Sequence, residues 1–385
     1  MYSLLFIVES MPDKFFIEKF GMDFYEKKGL KVEILYVASV TRNNYYKNTP
    51  NTSVKKFYDG KDKSSIIKYL NKNTSEKTIV FCFYGHNSNS IFINNFLSSK
   101  KIKTASYTLD HSLQKKLSFF NKIKILIFSP FLFIKLLIIK INYRNRHNIN
   151  FDYIFTAGKA SEQTYKLKSK SKIFKVHHYD FDIFNKAKKF TKNKNYGLFL
   201  SPATINPDTF DLVPGVHNKK NSNWNRQFYF KTMRLFINKL EKISDCEILV
   251  AQHPKDKTNL EKKLYKKCYK GMTANLVKNS KFVFCFDSQA FQFAVMDHKP
   301  IIFLTANYLP KLVKDDIKDR SSFFKTQTIN IENEFSKKQF NSFFKINKNI
   351  YKKYLNLYIT STKKSFYKYK SFELIYRYIK KISKN

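Results

Sequence analysis

The feature that most constrains the fold of this chain is a regular alternation of short apolar runs with segments of helical periodicity. Between residues 13 and 28, for example, apolar residues recur at helical spacing, and Gly29 follows as a stop signal. The strand-like runs of the first half are 2–8, 31–37, 78–83, 103–107 and 152–156. Strand, helix and strand in this rhythm are typical of βαβ units, so the pattern predicts a parallel sheet.

A second series of the same kind follows a polar break. Residues 186–195 are polar, basic and without periodicity, which predicts a linker. Further apolar runs occupy 196–202, 246–254, 281–287 and 299–305. Because 385 residues are enough for two separate cores, we expect two α/β domains. The first covers 1–185, and the second covers 196–385 with helices at its end.

Segment 117–141 is far more apolar than its surroundings. Lysines and Pro130 interrupt it, so its longest unbroken run is about ten residues, short of the roughly twenty that span a bilayer. Two interpretations stay open. The segment is either a helical hairpin in the membrane interface, with its lysines at the headgroups, or a buried helix pair that forms an apolar insertion in the first domain. We favour the membrane surface because the charge of the chain favours it.

The charge of the chain points to polyanions as neighbours. The formal net charge is +43, and most of it comes from lysines spread along the whole sequence. A hydrophobic content of 43% excludes a disordered polymer in spite of this charge. Anionic lipid headgroups and glycans attract such a protein as readily as nucleic acid does. Zinc-finger spacing and a confined basic helix are both missing, so we expect an anionic membrane surface and no nucleic acid as partner.

The cysteines and the N-terminus predict a cytoplasmic protein. Cys82, Cys246, Cys268 and Cys285 have no C-x-x-C pairing, so free thiols in a reducing compartment are expected. The first apolar run is about seven residues long and is followed by acidic residues, which indicates a first β-strand and not a signal peptide.

Polar residues follow three apolar runs of the second half, at the strand ends where open parallel sheets bind ligands. His253 can present a ring N–H to a phosphate or a sugar hydroxyl, or it can cap its turn. Thr273 is expected to be the N-cap of a short helix. Ser288 and the first amides of a following helix suit a diphosphate. Asp287 would repel phosphate, so we expect it to cap the helix or to bond a hydroxyl.

The order of these elements resembles the C-terminal domain of GT-B type glycosyltransferases that build bacterial surface polysaccharides. It is similar in particular to uncharacterised polysaccharide-biosynthesis proteins. The resemblance covers about 246–305. The elements that carry it are His253-Pro254, Thr273 to Lys278, Ser288 to Ala294, and Lys299 to Phe303.

This resemblance implies two Rossmann-like parallel-sheet domains that face a cleft, with a nucleotide-sugar donor in the second and the acceptor over the first. His253, Thr273 and Ser288 then become donor-contacting residues, and we place Asp287 and Gln289 in the same site. The GT-B pattern needs neither a bound metal nor a cofactor, because helix-end amides and basic side chains stabilise the leaving diphosphate.

One D-x-D sequence could argue against the expectation that no metal is bound. Asp180-Phe181-Asp182 has the form of a metal-binding motif. It does not stand at a predicted strand end of the second half, so we expect no metal there.

Two other families resemble the same stretch. CDP-glycerol glycerophosphotransferases carry a second serine where this chain has Gln289. Non-hydrolysing UDP-N-acetylglucosamine 2-epimerases have Asp-Ser-Gly-Gly and a following pair of glutamates. Asp287-Ser288 matches their start, but Gln292-Phe293 stands where the acids belong. An epimerase must remove and return a proton at carbon, so the loss of those carboxylates argues against that activity.

An inverting transferase needs a base, which we expect at the strand ends of the first domain. Glu9 and Asp13 follow the first strand, and His86 follows the third apolar run. Asp110 and His111 follow the fourth run. A carboxylate or an imidazole can deprotonate an acceptor hydroxyl. His86 is the first choice for this role and Glu9 the second.

The combined prediction is a metal-independent GT-B glycosyltransferase at the cytoplasmic face of the cell membrane. Its acceptor would be a lipid-linked or surface glycan, as in capsule or lipopolysaccharide synthesis. Alternatives are a glycerophosphotransferase-like polymer transferase, a non-catalytic protein that binds glycan or membrane on the same scaffold, and a scaffold that oligomerises through 117–141.

Overall fold

The structure is a computed structural model that describes residues 2–41, 57–85, 88–108, 151–166, 171–190, 195–202, 226–253, 261–262, 265, 267–309, 311–361 and 363–382. The described residues fall into two compact units. The first contains the residues up to 179 together with those from 357 onward, and the second contains 180–356.

The first unit is built on a seven-stranded sheet in which every pair of neighbours is parallel. Its strands are β1 (Ser3–Val8), β2 (Lys31–Tyr36), β3 (Tyr58–Asp59), β4 (Thr78–Phe83), β5 (Lys103–Thr108), β6 (Tyr153–Ala157) and β7 (Lys172–Val176). The spatial order is β3-β2-β1-β4-β5-β6-β7. Strand β1 pairs with β2 on one side and β4 on the other, so the direction in which strands are added reverses beside β1.

The helices of the first unit begin and end at residues that suit these positions. They are α1 (Lys14–Phe20), α2 (Met22–Lys27), α3 (Ala38–Thr41), α4 (Lys63–Asn73), α5 (Ile91–Ser99), α6 (Gly158–Lys166) and α14 (Ser371–Ile382). Asp13 caps α1 through a hydrogen bond from Phe16 N–H, and Asp62 and Ser65 form a capping box on α4. Gly21 ends α1 in the left-handed region, which glycine adopts without steric cost.

The core of the first unit covers both faces of its sheet. Leu4, Phe6 and Val8 belong to one apolar cluster, while Leu5 and Ile7 belong to another. Successive residues of a strand point to opposite faces, so β1 is buried on both sides. This explains why the strand reads as a continuous apolar run and not as an alternating one.

The C-terminal helix α14 packs in the first unit. Its residues Phe372, Leu374, Ile375 and Ile379 are buried in the same cluster as Leu4 and Phe6. The expected boundary at 185 and a second domain reaching to 385 therefore differ from the structure, because the described residues from 357 onward belong to the first unit. The apolar stripe of α14 requires a core, but it does not specify which of two cores it joins.

The second unit contains a six-stranded sheet that is also parallel throughout. Its strands are β8 (Tyr196–Leu200), β9 (Glu247–Gln252), β10 (Cys268–Lys270), β11 (Phe282–Cys285), β12 (Ile301–Thr305) and β13 (Thr328–Asn330), in the order β10-β9-β8-β11-β12-β13. Its helices are α7 (Tyr179–Lys186), α8 (Arg226–Ser244), α9 (Thr273–Asn279), α10 (Phe291–Met296), α11 (Lys311–Phe324), α12 (Lys337–Ser342) and α13 (Lys348–Tyr354).

The described part of the expected linker is folded onto the second unit. Helix α7 ends at Lys186, and the carbonyls of Ala187, Lys188 and Phe190 accept hydrogen bonds from side chains of α9. The polar, basic sequence of residues 186–195 predicts a linker because it lacks apolar periodicity. Backbone carbonyls can still be fixed by neighbouring amide and ammonium groups, which no periodicity reveals.

Two parallel-sheet domains of Rossmann type are therefore confirmed. The edge strands β3, β10 and β13 were not predicted, because each has only two or three residues, too few for a pattern. The edge strand β7, which has five residues, was not predicted either. Segment 117–141 lies outside the described residues. None of the helices in the described part of the chain is long and apolar enough to cross a membrane.

We expect Gly158→Ala to destabilise the first unit by about 3 kcal/mol. Gly158 has φ +74°, and a Cβ atom there would lie 2.2 Å from the backbone oxygen of Leu357. A left-handed backbone costs a non-glycine residue about 1–2 kcal/mol, and overpacking adds about 1–3 kcal/mol. Urea unfolding, with hydrogen exchange at the amides of β6, measures the loss.

Gly271→Ala is the matched control for this substitution. Gly271 has φ +77°, but nothing lies within 4 Å of its added Cβ. Only the backbone term of about 1 kcal/mol should remain. Equal losses of stability for the two variants would show that the backbone at Leu357 moves aside easily for the added Cβ atom. Contact with Leu357 would then not fix the position of α6.

Candidate functional site

The strand order of the second sheet locates its candidate site. Strand β8 lies between β9 and β11, and the two halves of the sheet extend from it in opposite directions. In open parallel sheets, ligands bind beyond the carboxyl ends of the strands at this reversal. The residues that follow β8 and β11 are therefore the first candidates, and Ser201, Asp287 and Ser288 are among them.

Asp287 lies in the turn after β11 and is anchored by an arginine of α11. Arg320 Nη1 donates to the carbonyl oxygen of Asp287 at 2.8 Å, and Arg320 Nη2 lies 2.6 Å from Asp316 Oδ2. The guanidinium carbon is 5.3 Å from the centre of the Phe291 ring. Arg320 is only 4% exposed, so this buried cation is held by one carboxylate, one carbonyl and one aromatic face.

The carboxyl group of Asp287 is buried away from water. Burial raises its pKa above the ordinary value, and the positive charge of Arg320 opposes that rise without cancelling it. The Oδ1 atom of Asp287 is buried and accepts no hydrogen bond in the described part of the chain. Asp287 therefore offers an unused acceptor, or a donor when protonated, at the carboxyl end of β11.

The helix after this turn begins later than the sequence suggests. Helix α10 starts at Phe291, with Ala290 in the N-cap position and no side-chain cap. The N–H groups of Phe291, Gln292 and Phe293 donate to the carbonyls of Ser288, Gln289 and Ala290. Since these first helical amides are engaged, an anion at this place would have to be bound by the turn itself. Asp287 does not cap α10 either.

Two other predicted donor residues also lie at strand ends or helix starts. His253 follows β9 directly and is half-buried, beside the fully buried Gln252. Thr273 is the first residue of α9, and Met272 occupies the N-cap position without a side-chain hydrogen bond. The expected capping role of Thr273 is therefore wrong, because the helix begins one residue earlier than we placed it. Pro254 lies outside the described residues.

The D-x-D sequence is part of a helix and not of a strand end. Asp180 and Asp182 lie in the first turn of α7, and both are buried. Asp180 Oδ2 accepts a hydrogen bond from Gln292 Nε2 at 3.1 Å. Residues two apart on a helix do not face the same way. Among the described residues, no group of three or more histidine, cysteine, aspartate or glutamate side chains could hold a metal ion.

The candidate bases of the first unit differ in how they are used. Glu9 follows β1, where the strand order of the first sheet reverses. It is 2% exposed, and its backbone N–H donates to the carbonyl of Phe83 at 3.3 Å. The charge of Glu9 also contributes to a raised pKa of Tyr84, for which burial is the main cause. Asp13 is already engaged as the N-cap of α1 at 2.7 Å from Phe16 N. His86, Asp110 and His111 lie outside the described residues.

A group of tyrosines near Asp287 was not predicted from the sequence. Tyr229 and Tyr308 have ring centres 6.5 Å apart, and the Tyr229 ring lies 6.3 Å from Phe286, next to Asp287. Tyr229 comes from α8 and Tyr308 from the loop after β12. We call Tyr229, Tyr265, Tyr308, Glu261 and Asp287 the tyrosine cluster. Apart from Glu261 and Tyr265, its members are too distant in sequence for any local pattern to link them.

Members of the tyrosine cluster lie close enough together to affect one another's pKa. Burial raises the pKa of Tyr229, and the neighbouring groups Tyr265, Glu261, Tyr308 and Asp287 raise it further. Burial is also the main cause of the raised pKa of Tyr265, followed by the charge of Glu261. The Ser201 hydroxyl, directly after β8, donates to Glu261 Oε1. The cluster therefore reaches the carboxyl ends of β8, β11 and β12.

Comparison with known proteins bears on the fold. No protein-family model and no curated protein sequence matches the chain. Among solved structures, a protein of Listeria monocytogenes provisionally named a UDP-N-acetylglucosamine 2-epimerase is similar, with TM-score 0.51, 12% identity, and coverage of 100% of this chain and 97% of its own. The complex of S. aureus MnaA with UDP has TM-score 0.50, 13% identity, and coverage of 99% and 96%. The chain therefore has the GT-B type of fold.

The raised pKa of Asp287 predicts a pH-dependent effect of Asp287→Asn. The folded chain binds this proton more tightly than the unfolded chain does. The resulting stability is present below the unfolded pKa of about 3.9 and is lost as the pH rises through the folded pKa. We expect the variant to equal the wild type near pH 4 and to exceed it at pH 7, by about 1.4 kcal/mol for each unit between the two pKa values.

Urea unfolding of both proteins from pH 4 to pH 8 measures this difference. The comparison is made at each pH, so titration of all other groups cancels. If the variant is less stable than the wild type at pH 7, the attraction of Arg320 outweighs burial and the proposed environment of Asp287 is wrong.

Proposed function

We propose that the chain is a metal-independent GT-B glycosyltransferase that uses a nucleotide-sugar donor. The observation that carries the proposal is the second sheet, where Ser201 and the Asp287-Ser288 turn follow the two strands at the reversal of strand order. This is the place at which open parallel sheets bind nucleotides. One of the similar structures, S. aureus MnaA, is in complex with UDP, which makes UDP the first nucleotide to test.

The donor-site residues take separate tasks in this proposal. Ser288, Gln289 and the turn amides would hold the diphosphate, with Thr273 at the start of α9. His253, at the end of β9, would contact the nucleotide half. Asp287 would repel phosphate and would instead bond a hydroxyl. In a chain with 72 lysine and arginine residues, basic side chains can stabilise the leaving diphosphate without a metal.

Glu9 is the base that the described residues favour. Glu9 is buried where the strand order of the first sheet reverses. The carboxylate of Asp13 instead accepts a hydrogen bond as the N-cap of α1. In an inverting transfer, a carboxylate at Glu9 would take the proton of the acceptor hydroxyl. The acceptor oxygen would then attack the anomeric carbon while the nucleotide diphosphate leaves with the bonding electrons. His86 stays an alternative for the same task.

An epimerase is disfavoured by the residues themselves. Gln292 stands where the epimerase motif has an acid, and its amide is fully buried in a hydrogen bond to Asp180. An amide cannot remove a proton from carbon, so this position cannot supply the acid–base pair that epimerisation needs. Transfer of the sugar requires only one base and a stabilised leaving group, which fits the groups present.

The positive net charge of the chain is the basis for the proposed acceptor. A chain with net charge +43 is attracted to anionic headgroups and anionic glycans, so we propose a lipid-linked or surface-glycan acceptor at the cytoplasmic face of the membrane. Capsule and lipopolysaccharide synthesis are processes that use such acceptors. Whether segment 117–141 joins in membrane contact stays a prediction.

We expect UDP or another nucleoside diphosphate to raise the melting temperature of the protein, and Ser288→Ala and His253→Ala to weaken that effect. A ligand at about 100 times its dissociation constant stabilises by about 2.7 kcal/mol. Loss of one hydrogen bond to a charged group should raise the dissociation constant about tenfold. Thermal-shift titrations with UDP, CDP and GDP, in salt that suppresses nonspecific attraction, measure these constants.

Ser322→Ala is the matched control, since Ser322 is exposed on α11 of the same unit. If all polyphosphates stabilise the wild type and every variant alike, the turn is not a donor site. The non-catalytic binding scaffold would then be the better description.

We expect Glu9→Gln to separate donor binding from transfer. The amide keeps the shape of the side chain but cannot accept a proton, so transfer should fall by about 10²–10⁴-fold. The dissociation constant for the donor should stay unchanged, because Glu9 belongs to the unit that does not hold it. Release of UDP from UDP-sugars in the presence of a membrane glycolipid extract measures transfer, and a variant with wild-type rate would remove Glu9 as the base.

A further inference from the structure

The tyrosine cluster holds buried polar atoms that are not satisfied by the protein. Tyr265 is 8% exposed, and its hydroxyl is buried without a hydrogen-bond partner in the part of the chain that is described. The same holds for the hydroxyl of Tyr308 and for Oδ1 of Asp287. Each such group costs about 1–3 kcal/mol of stability. Three together indicate that the fold keeps them for something other than stability.

The geometry brings these groups together from separate elements. Tyr265 lies before β10, Tyr308 after β12, and Asp287 after β11, while Tyr229 of α8 lies among them. The Tyr229 ring is 6.5 Å from Tyr308, and the Tyr265 ring is 6.5 Å from Phe230 and 6.4 Å from Phe199 of β8. The cluster therefore stands at the same carboxyl edge of the sheet as the proposed donor site.

The chemistry of the cluster selects the kind of ligand. Tyrosine hydroxyls both donate and accept, while the carboxylates of Asp287 and Glu261 accept and repel negative charge. Phosphate would meet two carboxylates, so it is a poor occupant. A neutral group with several hydroxyls can donate to the carboxylates and exchange hydrogen bonds with the tyrosines. Aromatic rings also cover the apolar faces of such a group.

We propose that the tyrosine cluster binds the hydroxyl groups of the transferred sugar, through Tyr265, Tyr308 and Asp287. The proposal rests on the proposed function, because it assigns the sugar half of the donor to this cluster and leaves the diphosphate to the turn at 288. It also accounts for the cost of the unpartnered groups. Binding energy from the sugar compensates a destabilised empty site, as is common where stability and function conflict.

The decisive variants are Tyr265→Phe and Tyr308→Phe. Each removes one hydroxyl and keeps the ring. Because these hydroxyls have no hydrogen-bond partner among the described residues, we expect the melting temperature of the free protein to rise or stay equal. The dissociation constant for a UDP-sugar should rise about tenfold per hydroxyl, while that for UDP should change less than twofold. Titration calorimetry with UDP, UDP-glucose, UDP-galactose and UDP-N-acetylglucosamine measures both quantities.

Tyr196→Phe is the matched control in the same unit. Tyr196 is fully buried, and its hydroxyl donates to the carbonyl of Leu276 at 2.6 Å. Removing a satisfied hydroxyl should lower the melting temperature of the free protein, and the ratio of UDP to UDP-sugar affinity should stay unchanged. The control is therefore expected to lower the melting temperature without changing the affinity ratio, whereas the cluster variants are expected to change the affinity ratio without lowering the melting temperature.

The results separate this proposal from the proposed function. If UDP-sugars bind and the cluster variants leave the preference over UDP unchanged, the cluster does not hold the sugar. If the variants melt lower to the same extent as Tyr196→Phe, their hydroxyls are satisfied in the free protein and the proposal is overturned. If no nucleotide binds the wild type, the proposed function fails. Free monosaccharides are then tested by saturation-transfer NMR, where a signal lost in Tyr265→Phe supports the cluster and no signal in the wild type overturns it.

Discussion

Burial of both sheet faces is the constraint on which this structure depends. In β1, alternate residues from Leu4 to Val8 enter two different apolar clusters, so this part of the strand carries only apolar side chains. The core strands of the second unit are buried in the same way, as the fully buried pattern of β8 and β11 shows. Thr156 of β6 is a buried polar residue inside a strand, but the polar residues of the candidate sites, such as Glu9 and Asp287, stand directly after strands.

At the edge of the second sheet, several polar groups are kept at a cost. Arg320 is a buried cation whose partners are Asp316, a backbone carbonyl and an aromatic ring, and it fixes the backbone of Asp287. The Oδ1 atom of the Asp287 carboxyl is left without a hydrogen bond within the described chain. A fold optimised for stability alone would replace such groups by apolar ones. Their presence beside the reversal of strand order is what turns a stable sheet into a candidate binding site.

Much of the architecture was predictable because strand and helix periodicities are local. The apolar runs at 2–8, 196–202 and 281–287 each became a central strand, and the parallel arrangement followed from the helices between them. Local reasoning failed at the helix starts. Thr273 was expected to be an N-cap and Ser288 to open a helix, but α9 begins at Thr273 itself and α10 only at Phe291. A difference of a few residues decides which amides are free, and periodicity does not resolve it.

The sequence by itself determined two parallel α/β sheets and the strand ends at which Glu9, His253 and Asp287 stand, because hydrophobic periodicity and strand–helix alternation are properties of neighbouring residues. Only the tertiary structure decided that α14 completes the core of the first unit and that Tyr265, Tyr308 and Asp287 meet around Tyr229. Those residues come from distant parts of the chain. The strand order brings the tyrosines together, and the core that has an open apolar face determines where α14 packs. No local stretch of sequence specifies either of these properties.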